Sequence, residues 1–553
     1  MPKQITVNYK DLEKKEYKVG TTLNEISKDF STYYKYPILI ASVNNNIREL
    51  NEEIMKKVNV DFFDRTSRTG SSVYGRTLQF LLVYALKRIE PNAILKIENS
   101  IDKGFYCTIS EVSINKNFIK KLENEMKKVV EEDWIIMKFN VLRQDAIEYF
   151  SKRKMYDKVN VLKYISNSYV SLYRIDDVYD YFYGPLAYRT SVIDDFKLTY
   201  LKDSGFVVSY PTTYNPECTL DYVHHEMLFN KFVEYSKWSK MLGIENASDI
   251  NNYITKNNFT ELINISEKFY ENQLNDIANK IYDNRKNIKL VLLAGPSSSG
   301  KTTTAKKIEI YLKSKGIQTH KLSTDDYFVN RVDTPKHKDG SYDFECLEAL
   351  DITLFNKTLL GLLNGEKVEL PEYNFIKGEK EYKGNKLQLG EDDIIIVEGL
   401  HAINESLTPA IEAKNKFKIY ISPLTQLNID NHNRIHTSDT RRLRRMVRDY
   451  SYRGYSASAT LNAWKSIREG EEKYVYPFQD SADAVINSSL LYEIGVLKLY
   501  AEPLLFSIAE DDPAYPEAIR LINFLRNFLA IPSENVPIDS VLREFIGGSC
   551  YYK

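Results

Sequence analysis

Residues 295–302 read Gly-Pro-Ser-Ser-Ser-Gly-Lys-Thr, a G-x-x-x-x-G-K-[ST] pattern matched at every fixed position. The chemistry this spacing supports is phosphate binding. Gly295 and Gly300 permit a tight turn whose backbone N–H groups converge on phosphate oxygens, and the following helix adds the positive end of its dipole. Ser297, Ser298, Ser299 and Thr303 complete the loop and the first helical turn. Lys301 is placed to reach the β- and γ-phosphates of ATP, and the Thr302 hydroxyl to hold Mg²⁺.

Two carboxylates extend this chemistry. The run Ile317 to Leu322 reads as a strand and ends in Ser323-Thr324-Asp325-Asp326-Tyr327-Phe328. In a doubly wound sheet that end is where ligands bind, so Asp325 can face the loop as base or Mg²⁺ contact rather than serve as an ordinary cap. A second apolar run, Ile394 to Val397, ends in Glu398-Gly399, the form of a Walker-B-type element that supports the metal. Seven arginines lie between Arg434 and Arg453. Arg441, Arg445 and Arg448 keep helical spacing, and their planar forks suit phosphate. The plain alternative is a solvated or RNA-binding helix; beside a phosphate loop, a lid over ATP is expected.

These residues need a parallel sheet to position them. Ile288 to Ala294 reads as a buried strand, Thr303 to Lys315 as a helix ending at Gly316, and the order strand–helix–strand continues. Residues 236–286 read as a helical connector with one buried face. Before it, strands at Gln4–Tyr9, Glu16–Val19, Ile38–Val43 and Val58–Phe63 around a helix at Thr22–Phe30 give a β-grasp order. A helix from Gly75 to Arg88 and four strands, Ile94–Glu98, Phe105–Ile109, Phe196–Tyr200 and Gly205–Tyr210, make the next unit α+β.

A chain of 553 residues with 43% hydrophobic content holds several domains. A net charge of −1 gives no global basic field for nucleic acid. Four scattered cysteines without a C-x-x-C pair, no signal-peptide pattern and no membrane-length apolar run fit a reducing cytoplasm.

The segment from about 286 to 510 resembles the uridine kinase and phosphoribulokinase group of P-loop kinases. The resemblance rests on Gly295 to Thr302, Ser323 to Phe328, Tyr342-Asp343-Phe344-Glu345, Pro371-Glu372-Tyr373-Asn374-Phe375, Val397-Glu398-Gly399, and Arg444 to Asp449 with Arg453-Gly454. It implies ATP-dependent phosphorylation of a nucleoside 5′-hydroxyl. Asp325 would be the base, with Thr302, Asp325 and Glu398 around Mg²⁺. Asp343 would hold ribose hydroxyls, and Tyr373 and Phe375 would line the base pocket. Arg445 and Arg448 would touch phosphates, and Arg453 the nucleoside or the transferred phosphate. Two positions depart from the pattern: Gly378 stands near a usual His, and Tyr455 where an Arg is frequent.

Residues 1–64 resemble the TGS domain of threonyl-tRNA synthetases, and residues 65–235 their second additional, editing-type domain. The carrying pieces are Leu81-Leu82 with Ala85 and Lys87, Pro91, Ile101-Asp102 with Gly104-Phe105-Tyr106, and Asp180 with Gly184-Pro185. The four metal-ligand positions of that family fall on Arg76, Phe80, Phe182 and Leu186, so neither zinc nor editing is expected. His224 and His225 lie at the wrong place to compensate.

The domain order expected is 1–64, 65–235, a connector 236–286, a kinase unit 287–510 and an extension 511–553. The leading function is transfer of phosphate from Mg-ATP to uridine or cytidine. The alternatives are a kinase of another small alcohol, such as a phosphorylated sugar, and a nucleotide-sensing, RNA-binding regulator. RNA through the N-terminal half and homo-oligomerisation remain open; no membrane partner is expected.

Overall fold

The computed structural model describes residues 4–9, 13–202, 205–336, 340, 342–374 and 376–551. Its kinase unit is built on a five-stranded parallel sheet in the order Thr319–Ser323, Ile394–Glu398, Leu290–Ala294, Lys416–Ser422 and Ala484–Asn487. Every residue of Leu290–Ala294 and Ile394–Glu398 is buried, as continuous apolar runs in a parallel sheet require. Successive side chains enter opposite cores. Val291, Leu293, Ile394 and Ile396 face one, while Leu290, Leu292, Ile395 and Val397 face the other. Register sets the chemistry: Glu398 lies beside Leu293 on one side and Ser323 on the other. The carboxylate, the phosphate loop and the Asp325 turn therefore emerge at one sheet edge.

The N-terminal unit is a mixed five-stranded sheet in which Gln4–Tyr9 runs parallel to Val58–Phe63, with a helix at Leu23–Lys28. Thr22 caps that helix through a reciprocal bond with Glu25. The next unit packs helix Arg68–Ile89 against a four-stranded sheet, Lys197–Leu201, Gly205–Ser209, Gly104–Ser110 and Ile94–Ile101. A three-stranded sheet, Met137–Leu142, Tyr169–Ile175 and Val178–Tyr181, accompanies it. Helix Arg68–Ile89 starts seven residues earlier than its sequence suggests. Its first turns are disguised by Gly70 and Gly75. Gly70 is required because a Cβ there would lie 1.9 Å from the Asp64 carbonyl oxygen. Among the described residues, no helix is long and apolar enough to cross a membrane.

Segment 236–286 forms parts of three helices, of which Phe259–Asp283 packs into the core beneath the phosphate-loop helix; Tyr270 bonds Thr304 there at 2.6 Å. The synthetase-like half is joined to the kinase half through a buried ionic cluster. Lys158 Nζ lies 2.8 Å from Asp180 and 2.7 Å from Asp430, all three side chains fully buried. His432 Nδ1 lies 2.5 Å from the other Asp180 oxygen. Burial opposes ionisation of Asp180, but Lys158 and His432 outweigh it and hold its pKa below the usual carboxylate range. Removing one member of such a cluster strands buried charge. Lys158→Met is expected to cost about 3–5 kcal/mol in urea unfolding. An unchanged midpoint would show that the cluster does not hold the halves together.

Candidate active site

The phosphate loop departs from strand Leu290–Ala294 and enters helix Lys301–Ser314. Ser298 has φ 60° and Gly300 φ 89°, so the peptide planes turn inward. Lys301 Nζ donates to the Gly295 and Pro296 carbonyls at 2.9 and 3.3 Å. Thr302 Oγ1 donates to Glu398 at 3.3 Å, and Lys321 Nζ lies 3.3 Å from the same carboxylate oxygen. Thr302 and Glu398 are thus together, as the sequence leads one to expect.

Asp325 sits in a one-turn helix, Thr324–Tyr327, whose N-cap Ser323 accepts from the Asp325 N–H. Its side chain is exposed to solvent, yet crowding by the surrounding protein and the neighbouring Glu398 push its pKa up to about 6, against the pull of Lys301. Burial likewise lowers the Lys301 pKa, against the pull of Glu398 and Asp325. A further carboxylate, Glu345, faces the same place. Its own burial and the repulsion of Glu471 push it up to about 7. Asp343 Oδ1 accepts from the Glu345 and Cys346 N–H groups, so it shapes the turn that delivers Glu345.

The arginine helix spans Thr437–Arg453 and is packed into the fold, not raised above it as a lid. Arg441, Arg442 and Arg444 are at most 2% exposed. Arg441 bonds Glu471 and the Ser297 carbonyl, and Arg444 pairs with Glu493 and reaches the Ser298 carbonyl. Arg445 donates to Ser297 Oγ at 2.5 Å. Asp449 gathers Arg445, Arg448 and, at 3.5 Å, the half-exposed Arg453. Burial and neighbouring Arg453 push Arg448 down to about 10.

Tyr373 is buried against Phe328, ring centroids 5.6 Å apart. Phe375 lies outside the described residues. Gly378 has φ 78°, and a Cβ there would meet Arg331 Cβ at 2.8 Å and Nε at 2.9 Å. The Arg331 side chain fills the space that a side chain at 378 would take. Tyr455 is exposed.

Three carboxylates around the loop have no role in the sequence reading. Glu471 is fully buried and accepts from the Ser297 N–H at 2.9 Å. Glu345 lies within a quoted motif, but nothing in that motif marks its raised pKa. Glu544 comes from the C-terminal segment and accepts from Thr303 N–H at 3.0 Å and Oγ1 at 2.7 Å. Val541 of that segment packs against Gly300, whose added Cβ would lie 2.4 Å away.

The loop fits ATP on its own chemistry. The Ser298 and Ser299 hydroxyls are buried without hydrogen-bond partners. The Glu544 carboxylate stands in for a phosphate group at the first turn of the helix. Thr302, Asp325 and Glu398 offer oxygen donors of the kind Mg²⁺ takes alongside nucleotide phosphates. Among the described residues, no group of three or more His, Cys, Asp or Glu is arranged to hold a metal alone. Arg76, Phe80, Phe182 and Leu186 do come together in the synthetase-like half. Phe80 and Phe182 make a ring contact at 5.4 Å within a hydrophobic core that includes Leu186.

Residues 290–492 match the model of the Phosphoribulokinase / Uridine kinase family. The N-terminal part is similar to threonine–tRNA ligases: that of Acetivibrio thermocellus is 28% identical over 196 residues, 35% of this chain and 31% of the ligase. That of Clostridium novyi is 30% identical over 196 residues, with the same shares. The chain thus spans about a third of the length of the curated relatives it matches. Among solved structures, a "possible uridine kinase" of Bacillus stearothermophilus is 20% identical, with TM-score 0.25, covering 39% of this chain and 97% of that one. Residues 290–492 form a P-loop kinase domain of the phosphoribulokinase and uridine kinase family, joined to an N-terminal part similar to threonine–tRNA ligases.

Proposed function

We propose that the kinase domain transfers the γ-phosphoryl group of ATP to the 5′-hydroxyl of a pyrimidine nucleoside, uridine or cytidine. The observation that carries this is the convergence of Lys301, Thr302, Asp325 and Glu398 at the ends of three adjacent parallel strands. Bound Mg-ATP supplies the phosphoryl group and the metal's neutralising charge. Thr302, Asp325 and Glu398 would surround the metal, and the loop with Lys301 would hold the phosphates. Asp325 would accept the proton of the attacking hydroxyl; a pKa of about 6 suits a base working near neutrality. Arg445 and Arg448 would steady the transferred group, and Arg453 the product phosphate or nucleoside. Asp343 would hold the ribose, and Tyr373 with Phe375 would flank the base.

A second reading has its own observation. Arg331 occupies the place of a side chain at 378, so a guanidinium lies beside the acceptor pocket. That favours an acceptor bearing carboxylate or phosphate over a neutral nucleoside.

ATP consumption measured with uridine, cytidine, ribulose 5-phosphate and glycerate separates the two readings. Turnover with uridine or cytidine and little change in Arg331→Ala is expected. Turnover confined to the anionic acceptors, with KM raised about tenfold or more in Arg331→Ala, would replace the nucleoside reading with the second. Asp325→Asn should lower kcat by roughly 10²- to 10⁴-fold while ATP still binds. Retained turnover would remove Asp325 from the base role.

Glu544 gives a separate outcome. Its carboxylate holds donors that a nucleotide phosphate needs, so ATP must displace it. Glu544→Ala is expected to tighten ATP binding about tenfold by calorimetry, the scale of one charge-assisted hydrogen bond. Weaker binding would mean that Glu544 props the loop open for ATP instead of competing with it.

A further inference from the structure

A cavity of about 1250 Å³ lies away from the phosphate loop, between the synthetase-like half and the kinase half. Its walls come from helix Arg68–Ile89, the turn at Phe182–Pro185, the chain around Asn433–Asp439, and helices Trp464–Tyr474 and Tyr515–Leu525. Eleven arginines and lysines line it against six aspartates and glutamates, in a chain whose net charge is −1. The positive charge this chain lacks as a field is gathered here.

Part of that charge is answered within the protein. Arg442 and Arg520 pair with Asp439 and Glu517, and Arg68 lies 3.2 Å from Glu517. Two buried guanidinium groups are not answered. Arg76 is 8% exposed and makes one hydrogen bond, from Nε to the Pro185 carbonyl at 3.0 Å. Arg434 is 5% exposed; it bonds Ser100 Oγ, and its Nε has no partner. Among the described residues, neither pairs with a carboxylate. A buried cation without a counter-charge is costly, and proteins keep such groups chiefly where something else supplies the charge.

The site is shaped for Arg76. A Cβ on Gly184 would lie 2.8 Å from Arg76 Cζ, so that glycine leaves room for the guanidinium. The nearby His436 reports the same potential: burial, then Arg434, Arg520, Arg76 and Arg68, hold its pKa well below the usual imidazole value.

We propose that this interdomain cavity is a second anion-binding site, taking the phosphates of a nucleoside di- or triphosphate on Arg76 and Arg434. Guanidinium forks bind phosphate oxygens bidentately, and Tyr173, Tyr183 and Tyr210 supply aromatic wall for the base. The volume exceeds that of ordinary small-ligand pockets, so a nucleotide with its phosphate chain fits. A cavity bounded by the two halves of a near-neutral chain favours a compact polyanion over an RNA strand, which needs an extended basic track. The site has a direct link to the phosphate loop. Asp439 and Arg442, early in the arginine helix, line the cavity, and the same helix bonds Ser297 and Ser298 through Arg441, Arg444 and Arg445.

The test separates this site from the phosphate loop by using the full chain carrying Lys301→Ala and Thr302→Ala, which weakens the loop. Calorimetry with UTP, CTP, ATP, pyrophosphate and a short single-stranded RNA is run on that background, then with Arg76→Gln or Arg434→Gln added. Residual binding of a nucleoside triphosphate, weakened at least tenfold by either added substitution, is the expected result. Gly184→Ala, which displaces the guanidinium while keeping its charge, should weaken binding in the same direction. Thermal melting guards against mere misfolding: without ligand, Arg76→Gln should melt no lower than its parent, because it removes an unanswered buried charge. No residual nucleotide binding, or residual binding indifferent to Arg76 and Arg434, would overturn the proposal. Binding of the RNA alone would overturn it in favour of a strand-binding site.

Discussion

The arrangement of the active site depends on one buried carboxylate, Glu471. It accepts the Ser297 N–H of the phosphate loop and pairs with Arg441, and Arg468 and Tyr476 close its remaining valences. A loop built from glycine and serine has little shape of its own; conformational entropy favours many turns over one. Here the turn is fixed from outside. Arg441 and Arg444 hold its carbonyls, Glu471 holds an N–H, and Ser488 Oγ holds the Ser299 carbonyl at 2.6 Å. The arginines therefore divide by task along one helix. Arg441 and Arg444 are committed to buried ion pairs, which leaves Arg445, Arg448 and Arg453 nearer the cleft. A buried pair of this kind adds little net stability, but it specifies one geometry. That is the property a phosphate loop needs.

What the sequence showed of this site was what is local. The G-x-x-x-x-G-K-[ST] loop is a contiguous pattern, and Glu398 and Asp325 each follow an apolar strand, so short-range reasoning places them. Helical spacing likewise exposed the arginine helix, but it could not say which arginines face inward, because their partners Glu471, Glu493 and Glu517 lie well beyond the helix. Glu471 and Glu544 bond the loop across 174 and 241 residues, and no pattern in their own neighbourhoods marks them. Arg331 comes beside Gly378 only in the fold, where a Cβ at 378 would meet its side chain. The sheet behaved similarly. Leu290–Ala294, Thr319–Ser323 and Ile394–Glu398 are bounded by recognisable turns, whereas Lys416–Ser422 and Ala484–Asn487 complete the sheet without a local signal as clear.

The same division explains the N-terminal half. Its β-grasp strands and the strands around Gly104 and Gly205 alternate or run apolar, and were legible. Its union with the kinase was not. Lys158, Asp180 and the neighbouring Asp430 and His432 come from three places in the chain, and no local pattern marks them as partners. Asn428 adds backbone-directed bonds, to the Ile97 carbonyl at 2.7 Å and from the Ala247 N–H at 2.7 Å. Polar groups buried this thoroughly demand exact partners, so the two halves meet in one orientation and not as beads on a linker.

That fixed orientation gives the arginine helix a second role. A helix packed at 0–2% exposure along its inner face moves as a unit, since its side chains cannot shift singly without opening voids or stranding charge. Its early residues Asp439 and Arg442 sit among the charges of the interdomain cavity, while Arg441, Arg444 and Arg445 grip the phosphate loop. Within the cavity, Asp439 is shared by Arg442 and Arg520. Interfaces of this type settle into discrete arrangements rather than deforming smoothly. Arg76 is thus a buried cation without a carboxylate partner in the same cavity that receives Asp439 and Arg442 of the helix that holds the kinase loop.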